Sequence, residues 1–477
     1  MKKNANGKQG GLRRTVGWLM VWGVCAASAA ENRPNIVLMM ADDLGWGDVH
    51  CFNPKSPIQT PQLDAMAAAG VRFDRFYSSS PVCSPTRGSC LTGRHPFRYG
   101  VYFANRGHMK PEELTLAELL RQQGYATGHF GKWHLGTLTT QIQDANRGKP
   151  GNTKEFSPPW KNGFEVCFST ESKVPTWDPM LKPVKDGHSG WDFIADKSTA
   201  VPYGTHYWNE KGEVVSDNLE GDDSRVIMDR VVPFIEAAAK SDRPFFAVVW
   251  FHAPHLPVVA GPEYAAMYPG VPDFQKNYYG CVTALDEQVG RLRAVLKAAG
   301  VAENTMVWFG SDNGPEGNAK SPGTAASFRG RKRSLYEGGV RVSGLLDWPA
   351  RVKPGTVTDF PAVTSDYLPT ILDALQVEYA GERPLDGISL LPVLAGRQTE
   401  RSKPIGFESA GQVAWTTQRF KLYSKNGGKN WELYDLLADP SEKNNVAAEH
   451  PEQVAEMAKQ LAAWRASCKQ SDRGGDY

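Results

Sequence analysis

The chain has 477 residues, more than the ~250–300 at which single hydrophobic cores usually stop growing, so one large domain with an appendage, or two domains, is expected. Its 41% hydrophobic and 22% charged residues are ordinary for a globular protein and exclude a disordered or fibrous chain. The formal charge of +2 becomes −3 once the five basic residues among the first thirty are set aside, which excludes a generally basic nucleic-acid binder and leaves anion recognition to local clusters.

Residues 1–30 read as an export signal. Lys2, Lys3, Lys8, Arg13 and Arg14 precede an apolar run from Val16 to Ala27, and Ala27-Ser28-Ala29 offers small residues for cleavage. The run is shorter than the ~20 apolar residues a bilayer requires, and no later stretch reads as transmembrane. A periplasmic or secreted protein without stable membrane association is expected. Seven cysteines are scattered without disulfide-scaffold or zinc spacing, and six of them follow the signal.

In chain order, "NIVLMM" (Asn35 to Met40) is a continuous apolar strand that stops at Ala41-Asp42-Asp43. Pro61 to Ala69 reads as a helix and "VRFDRFYS" as one alternating strand. The polar stretch "SSSPVCSPTRGSCLTGR" follows, with a helix expected over Gly88 to Thr92. Glu112 to Gln123 has helical spacing, and "YATGHFG" is a strand leaving into a loop. Residues 137–221 have little periodicity and read as a loop-rich insertion on the substrate side. Trp160, Trp177, Trp191, Trp208, Tyr203 and Tyr207, with Lys182, His188 and His206 nearby, are candidates for sugar stacking there or for a local core. "RPFFAVVWF" is a buried strand, Gln275 to Ala299 a long amphipathic helix, and "TMVWFGSDNG" and "VRVSGLLDWP" two further strands before a Ser365 to Leu375 helix. From about Phe407, short strands and a Glu452 to Ala466 helix complete the chain. The expected fold is α/β, a mostly parallel central sheet flanked by helices over residues 31–400, with a small antiparallel sheet plus helix over 401–477.

Ligands of open α/β sheets bind beyond the carboxyl ends of strands. Asp42-Asp43 and Asp312-Asn313 stand at two such ends, and their hard oxygens suit Ca²⁺ or Mg²⁺, although acidic pairs also form turns and caps. "GHFGKWHLG" places Lys132 and His134 on one side of an extended segment. His252 and His255 follow the "RPFFAVVWF" strand, and Arg329, Arg331, Lys332 and Arg333 cluster further on. With a hard cation these groups describe a pocket for a tetrahedral oxyanion. The thiol of Cys83 fits neither the metal nor the anion.

Cys83, Pro85, Arg87, Leu91, Thr92, Gly93 and Arg94 match Cys-x-Pro-x-Arg followed by Leu-Thr-Gly-Arg, with "ADDLGWGD" before them and "GKWHLG", "APHLP", "SDNG" and "YEGGVRV" after them in order. In these motifs the chain resembles the formylglycine-dependent sulfatases of the alkaline phosphatase superfamily, from about Asn32 to "ELYDLLADPSEKNNVA". The resemblance implies that a separate maturation enzyme oxidises Cys83 to Cα-formylglycine. One hydroxyl of the hydrated aldehyde attacks sulfur, and the second loses its proton so that sulfate is expelled by elimination. It implies Ca²⁺, in preference to Mg²⁺, at Asp42, Asp43, Asp312, Asn313 and the modified Cys83. Arg87 would hold the diol, Lys132 and Lys332 would grip sulfate oxygens, and His134 would be the base. His255 would bind substrate and protonate the leaving oxygen, a role that suits His252 less well.

The implied substrate is a sulfated glycan. Lys332 departs from the family pattern by being flanked by Arg331 and Arg333, which could meet further anionic groups of a polymer. A formylglycine-dependent phosphodiesterase or phosphonate monoester hydrolase is an alternative, as is a non-catalytic sulfated-glycan-binding protein with Cys83 unmodified.

Overall fold

A computed structural model describes residues 33–477 apart from Asp186, His188, Ser189, Thr199 and Ala200, so the export segment and His188 lie outside the described residues. The central sheet comprises β1 (Asn35–Ala41), β2 (Val71–Phe73), β3 (Ala126–Lys132), β4 (Val166–Thr170), β5 (Tyr207–Trp208), β6 (Val214–Val215), β7 (Phe245–Trp250), β8 (Thr305–Ser311), β9 (Gly344–Asp347) and β10 (Thr356–Thr358), in the order β10-β2-β9-β8-β1-β7-β3-β4-β5-β6. The middle run β8-β1-β7-β3-β4 is parallel throughout, whereas β9 and β5 join it antiparallel.

Both faces of this sheet are covered, which is why β1 is an unbroken apolar run rather than an alternating one. Val37, Met39 and Ala41 face α1 (Pro61–Ala69), α4 (Asp223–Lys240) and α5 (Asp273–Ala298). Ile36, Leu38 and Met40 face α2 (Cys83–Thr92), α3 (Leu116–Gln122) and α6 (Tyr367–Leu375). Helix α4, capped by Asp222 and carrying Pro233 inside it, was not anticipated from the sequence, although Val226, Ile227, Val231, Phe234, Ile235 and Ala238 recur at helical spacing along its buried face.

Five expectations are corrected. "VRFDRFYS" is two strands, since the chain turns at Asp74-Arg75 and Phe76–Tyr77 enters a separate three-stranded sheet with Arg341–Val342 and Ala362–Val363. "VRVSGLLDWP" divides likewise between the two sheets, and Gly344 permits their approach, because a Cβ there would lie 2.3 Å from Phe76 Cβ. The helix expected over Gly88 to Thr92 begins at Cys83, and the one expected from Glu112 begins at Leu116 behind a Thr115/Glu118 capping box. Residues 137–221 are no mere insertion, for they supply β4, β5 and β6 to the central sheet.

The C-terminal sheet, β11 (Ile405–Ser409), β12 (Gln412–Thr416), β13 (Phe420–Ser424) and β14 (Glu432–Asp435), is antiparallel. One face packs Phe407, Ala414 and Tyr423 on Tyr77, Leu335 and Val363. The other packs Trp415, Leu422 and Leu433 under α7 (Pro451–Asp472). At the first face the fully buried Lys421 ammonium lies 3.0 Å from both Glu337 and Glu442, tying the "YEGG" turn to this sheet. From the last residue of α7 onward the chain folds back on residues 94–113. Asp472 accepts from the Tyr102 hydroxyl and from Lys110, Asp476 pairs with Arg94 at 2.7 Å, and the Tyr477 hydroxyl donates to Glu113. No described helix is long and apolar enough to cross a membrane, and the six described cysteines are all unpaired thiols.

Candidate active site

The register that sets Ala41 opposite Ser311 brings Asp42-Asp43 and Asp312-Asn313 out of neighbouring strands at one level. All four side chains are buried. Asp43 turns into the left-handed region (φ 68), its N–H donates to Asp312 Oδ1 at 3.1 Å, and Asn313 Nδ2 donates to Asp43 Oδ1 at 2.7 Å and to the Gly314 carbonyl. This spends the amide nitrogen and leaves Asn313 Oδ1 and Asp42 Oδ1 buried without partners. Orphaned oxygens in a carboxylate cluster fit a hard divalent cation better than a solvated turn.

Burial raises the pKa of Asp43 and Asp312, with Asp42 pushing the same way. Burial works against ionised Asp42 too, but Lys132, His255, Arg87 and Lys332 outweigh it and hold that carboxyl well below its usual range.

Cys83 is the first residue of α2, preceded by extended Val82. Pro85 is tolerated in a first turn, where its missing N–H costs no bond, and Gly93 (φ 66) closes the helix with its N–H on Ser89 O at 3.0 Å. A ligand atom from each of Asp42, Cys83 and Asp312 lies within 4.8 Å of the others. Burial pushes the thiol pKa up despite Lys132 and Lys332, so unmodified Cys83 is not poised as a thiolate.

Arg87, four residues on, shares a helix face with Cys83. Its guanidinium donates to Asp312 Oδ2 at 2.8 Å and to the Lys132 carbonyl at 3.1 Å, and lies 5.2 Å from the Trp250 ring centroid. Lys132 Nζ meets Asp42 Oδ2 at 2.5 Å and Lys332 Nζ meets Asp43 Oδ1 at 2.6 Å. Arg331 donates to the carbonyls of Glu316 and Gly323 but leaves its Nε without a partner, and Arg333 makes a two-pronged pair with the Glu316 carboxylate while remaining half exposed. Lys173, which the sequence did not single out, leaves β4 beside this site. It is half-buried and makes no hydrogen bond or ion pair among the described residues, and burial and the repulsion of Lys132 and Lys332 lower its pKa.

His255 Nδ1 donates to the Leu256 carbonyl at 2.7 Å, which turns Nε2 toward Asp43 Oδ2 at 3.6 Å. His252 is fully buried, with one ring nitrogen on Asp223 and the other on Thr170 Oγ1. His134 reaches the site through a left-handed residue (φ 59) after β3, a bend and not the strand alternation expected of it. Its Nε2 donates to Asn105 Oδ1 at 2.8 Å, while Nδ1 is buried and unpartnered. Asn105, which the sequence did not single out, lies beside Arg106-Gly107. Of the candidate stacking aromatics, Trp191, Tyr207 and Trp208 are core residues. Tyr207 stacks on Phe168 with centroids 4.0 Å apart, and Trp208 Nε1 bonds Asp144.

A family model described as Sulfatase matches residues 34–377, and one described as N-sulphoglucosamine sulphohydrolase, C-terminal, matches residues 329–467. The chain belongs to the sulfatase family of the alkaline phosphatase superfamily and is a sulfuric ester hydrolase. It is similar to Homo sapiens arylsulfatase A, at 32% identity over 484 residues covering 93% of this chain and 90% of that protein. Homo sapiens N-acetylgalactosamine-6-sulfatase is 32% identical over 439 residues, covering 88% and 77%. Among solved structures, Ps i-CgsB in complex with k-i-k-neocarrahexaose superposes with a TM-score of 0.78 at 26% identity, covering 92% of this chain and 94% of that one.

Proposed function

We propose that this sulfatase is an exported enzyme that removes sulfate from a sulfated carbohydrate, with Cys83 oxidised to Cα-formylglycine by a maturation enzyme and with Ca²⁺, rather than Mg²⁺, held by Asp42, Asp43, Asp312 and Asn313. The observation that carries this is a buried cysteine grouped with Asp42 and Asp312, near Lys132, Lys332 and Arg87, whose thiol pKa burial pushes up, not down. A thiol there is a poor nucleophile. At position 83 the hydrated aldehyde would supply a hydroxyl nucleophile, and a cation held by Asp42, Asp43, Asp312 and Asn313 would supply charge to offset that of the sulfate.

The chain's own residues do the rest. Arg87, anchored on Asp312, steadies the oxygen at position 83. Lys132 and Lys332 each have three N–H donors, and donors beyond those given to Asp42, Asp43 and Glu316 would meet sulfate oxygens. His255 presents Nε2 to the site, and an anionic ester beside it favours the imidazolium that donates to the leaving alcohol. His134 offers the Nδ1 lone pair to the proton that must depart before sulfate is expelled. The carbohydrate class is supported by relatives whose names specify an N-acetylgalactosamine sulfate and by the neighbour bound to k-i-k-neocarrahexaose.

Mass spectrometry of the Cys83 peptide, on protein from the organism that makes it, tests the reading together with sulfate release from sulfated oligosaccharides. An aldehyde that tracks with activity is expected. A thiol in essentially every active molecule, or faster cleavage of a phosphodiester than of any sulfate ester, would overturn it.

A further inference from the structure

We propose that Asn105 is a positioning residue: its side-chain oxygen holds the His134 proton on Nε2 and so keeps the Nδ1 lone pair free inside the site. The inference rests on His134 acting as the base. The imidazole is fixed from behind by its own backbone, since the His134 N–H donates to the Glu171 carbonyl at 2.9 Å in the left-handed bend after β3. Nε2 lies 2.8 Å from Asn105 Oδ1, and that oxygen also accepts from Asn146 Nδ2 at 3.1 Å. Asn146 Nδ2 in turn reaches Ser172 Oγ at 2.8 Å.

A carbonyl oxygen offers two lone pairs and no proton, so a neutral His134 has to donate to it from Nε2. The other tautomer would set two acceptors 2.8 Å apart and leave a buried Nδ1–H with no partner. Burial lowers the His134 pKa, as do Lys132, Arg147 and Arg87 against the weaker pull of Asp42, so the ring stays neutral and the tautomer decides whether it can accept a proton. Asn105 is itself held in a tight left-handed turn (φ 61), with Arg106 N–H on the Phe103 carbonyl at 3.0 Å. Asparagine is one of the few residues that enters that region readily.

The test is ¹⁵N NMR of the histidine rings in the full chain, which separates protonated from unprotonated ring nitrogens; His134→Gln identifies the signal. Wild type is expected to carry the proton on Nε2 alone. Asn105→Leu is expected to shift the ring toward the Nδ1–H form and to lower kcat roughly tenfold or more, a part of the 10²–10⁴ a positioned base supplies, with KM changed by less than about twofold. Asn105→Asp keeps an acceptor, so it is expected to retain Nε2–H and more of kcat, while its charge raises the imidazole pKa and moves the acidic limb of kcat to higher pH. Nδ1–H in the wild type, or Asn105→Asp losing as much kcat as Asn105→Leu with no movement of that limb, would overturn the proposal. Because the ring tautomer is read without turnover, failure of the proposed sulfatase chemistry would show separately, as an unmodified Cys83.

Discussion

Replacing Arg87 by methionine removes one of the three cations that balance Asp42, Asp43 and Asp312, while keeping a side chain of similar length beside Trp250. Both partners of the Arg87–Asp312 pair have no exposed side-chain surface, and breaking such a pair from one side typically costs about 3–5 kcal/mol. Burial and Asp42 already favour the protonated form of Asp312, so proton uptake limits the loss and the lower half of that range is expected. A bound cation repays part of it, because a ligand at about 100 times its Kd stabilises a chain by about 2.7 kcal/mol, and the removed guanidinium had repelled that ion. The assay is urea unfolding followed by tryptophan fluorescence in chelator and in calcium. The variant should lose about 3 kcal/mol in chelator and regain more than wild type does on adding calcium. A loss below about 1 kcal/mol, or equal calcium increments in both proteins, would refute the balance of charges described here.

Cys83→Ala should fold with near-normal stability and release no sulfate; unfolding would assign the residue to the core instead. Burial holds His95 neutral, with its pKa lowered to about 3 from 6.5. Below pH ~6.5 the unfolded chain takes up a proton that the folded chain refuses, so stability falls by up to about 1.4 kcal/mol per pH unit on acidification, and His95→Phe should flatten the fall between unfolding midpoints at pH 7.5 and 5. Lys421→Met should cost about 3–5 kcal/mol by stranding Glu337 and Glu442, and adding Glu442→Gln should recover part of it in thermal unfolding. Lys173→Ala should raise KM for a sulfated oligosaccharide several-fold more than KM for a small aryl sulfate, as initial rates on both would show.

Strand-end chemistry was legible because it is local. "NIVLMM" followed by Asp42-Asp43, and "TMVWFGS" followed by Asp312-Asn313, announce buried parallel strands that deliver oxygens to one edge, and the register confirms the meeting. Alternation failed where strands cross between sheets, as at Phe76–Tyr77 and Arg341–Val342, because a two-residue strand carries too little periodicity to reveal a turn. β4 to β6 escaped notice for a similar reason, being short and embedded in Gly- and Pro-rich chain. Contacts distant in sequence were invisible: nothing near Arg333 signals that Glu316 pairs with it, and nothing near Asn105 signals His134. The aromatics of residues 137–221 show the limit of composition, since the same Tyr207 and Trp208 could stack on sugar or fill a core, and only packing decides.

The fold-back of Asp472, Asp476 and Tyr477 onto Tyr102, Lys110, Arg94 and Glu113 has a consequence for the timing of assembly. These contacts brace the stretch of chain that carries Asn105, so the far end of the polypeptide buttresses a turn encoded more than 350 residues earlier. Asp42, Lys132 and Asp312 stand at the ends of β1, β3 and β8, which none of these contacts touches. The brace on the turn that carries Asn105 forms only once α7 and residues 473–477 have emerged, so this corner of the site is completed later than the strand ends that carry Asp42, Lys132 and Asp312.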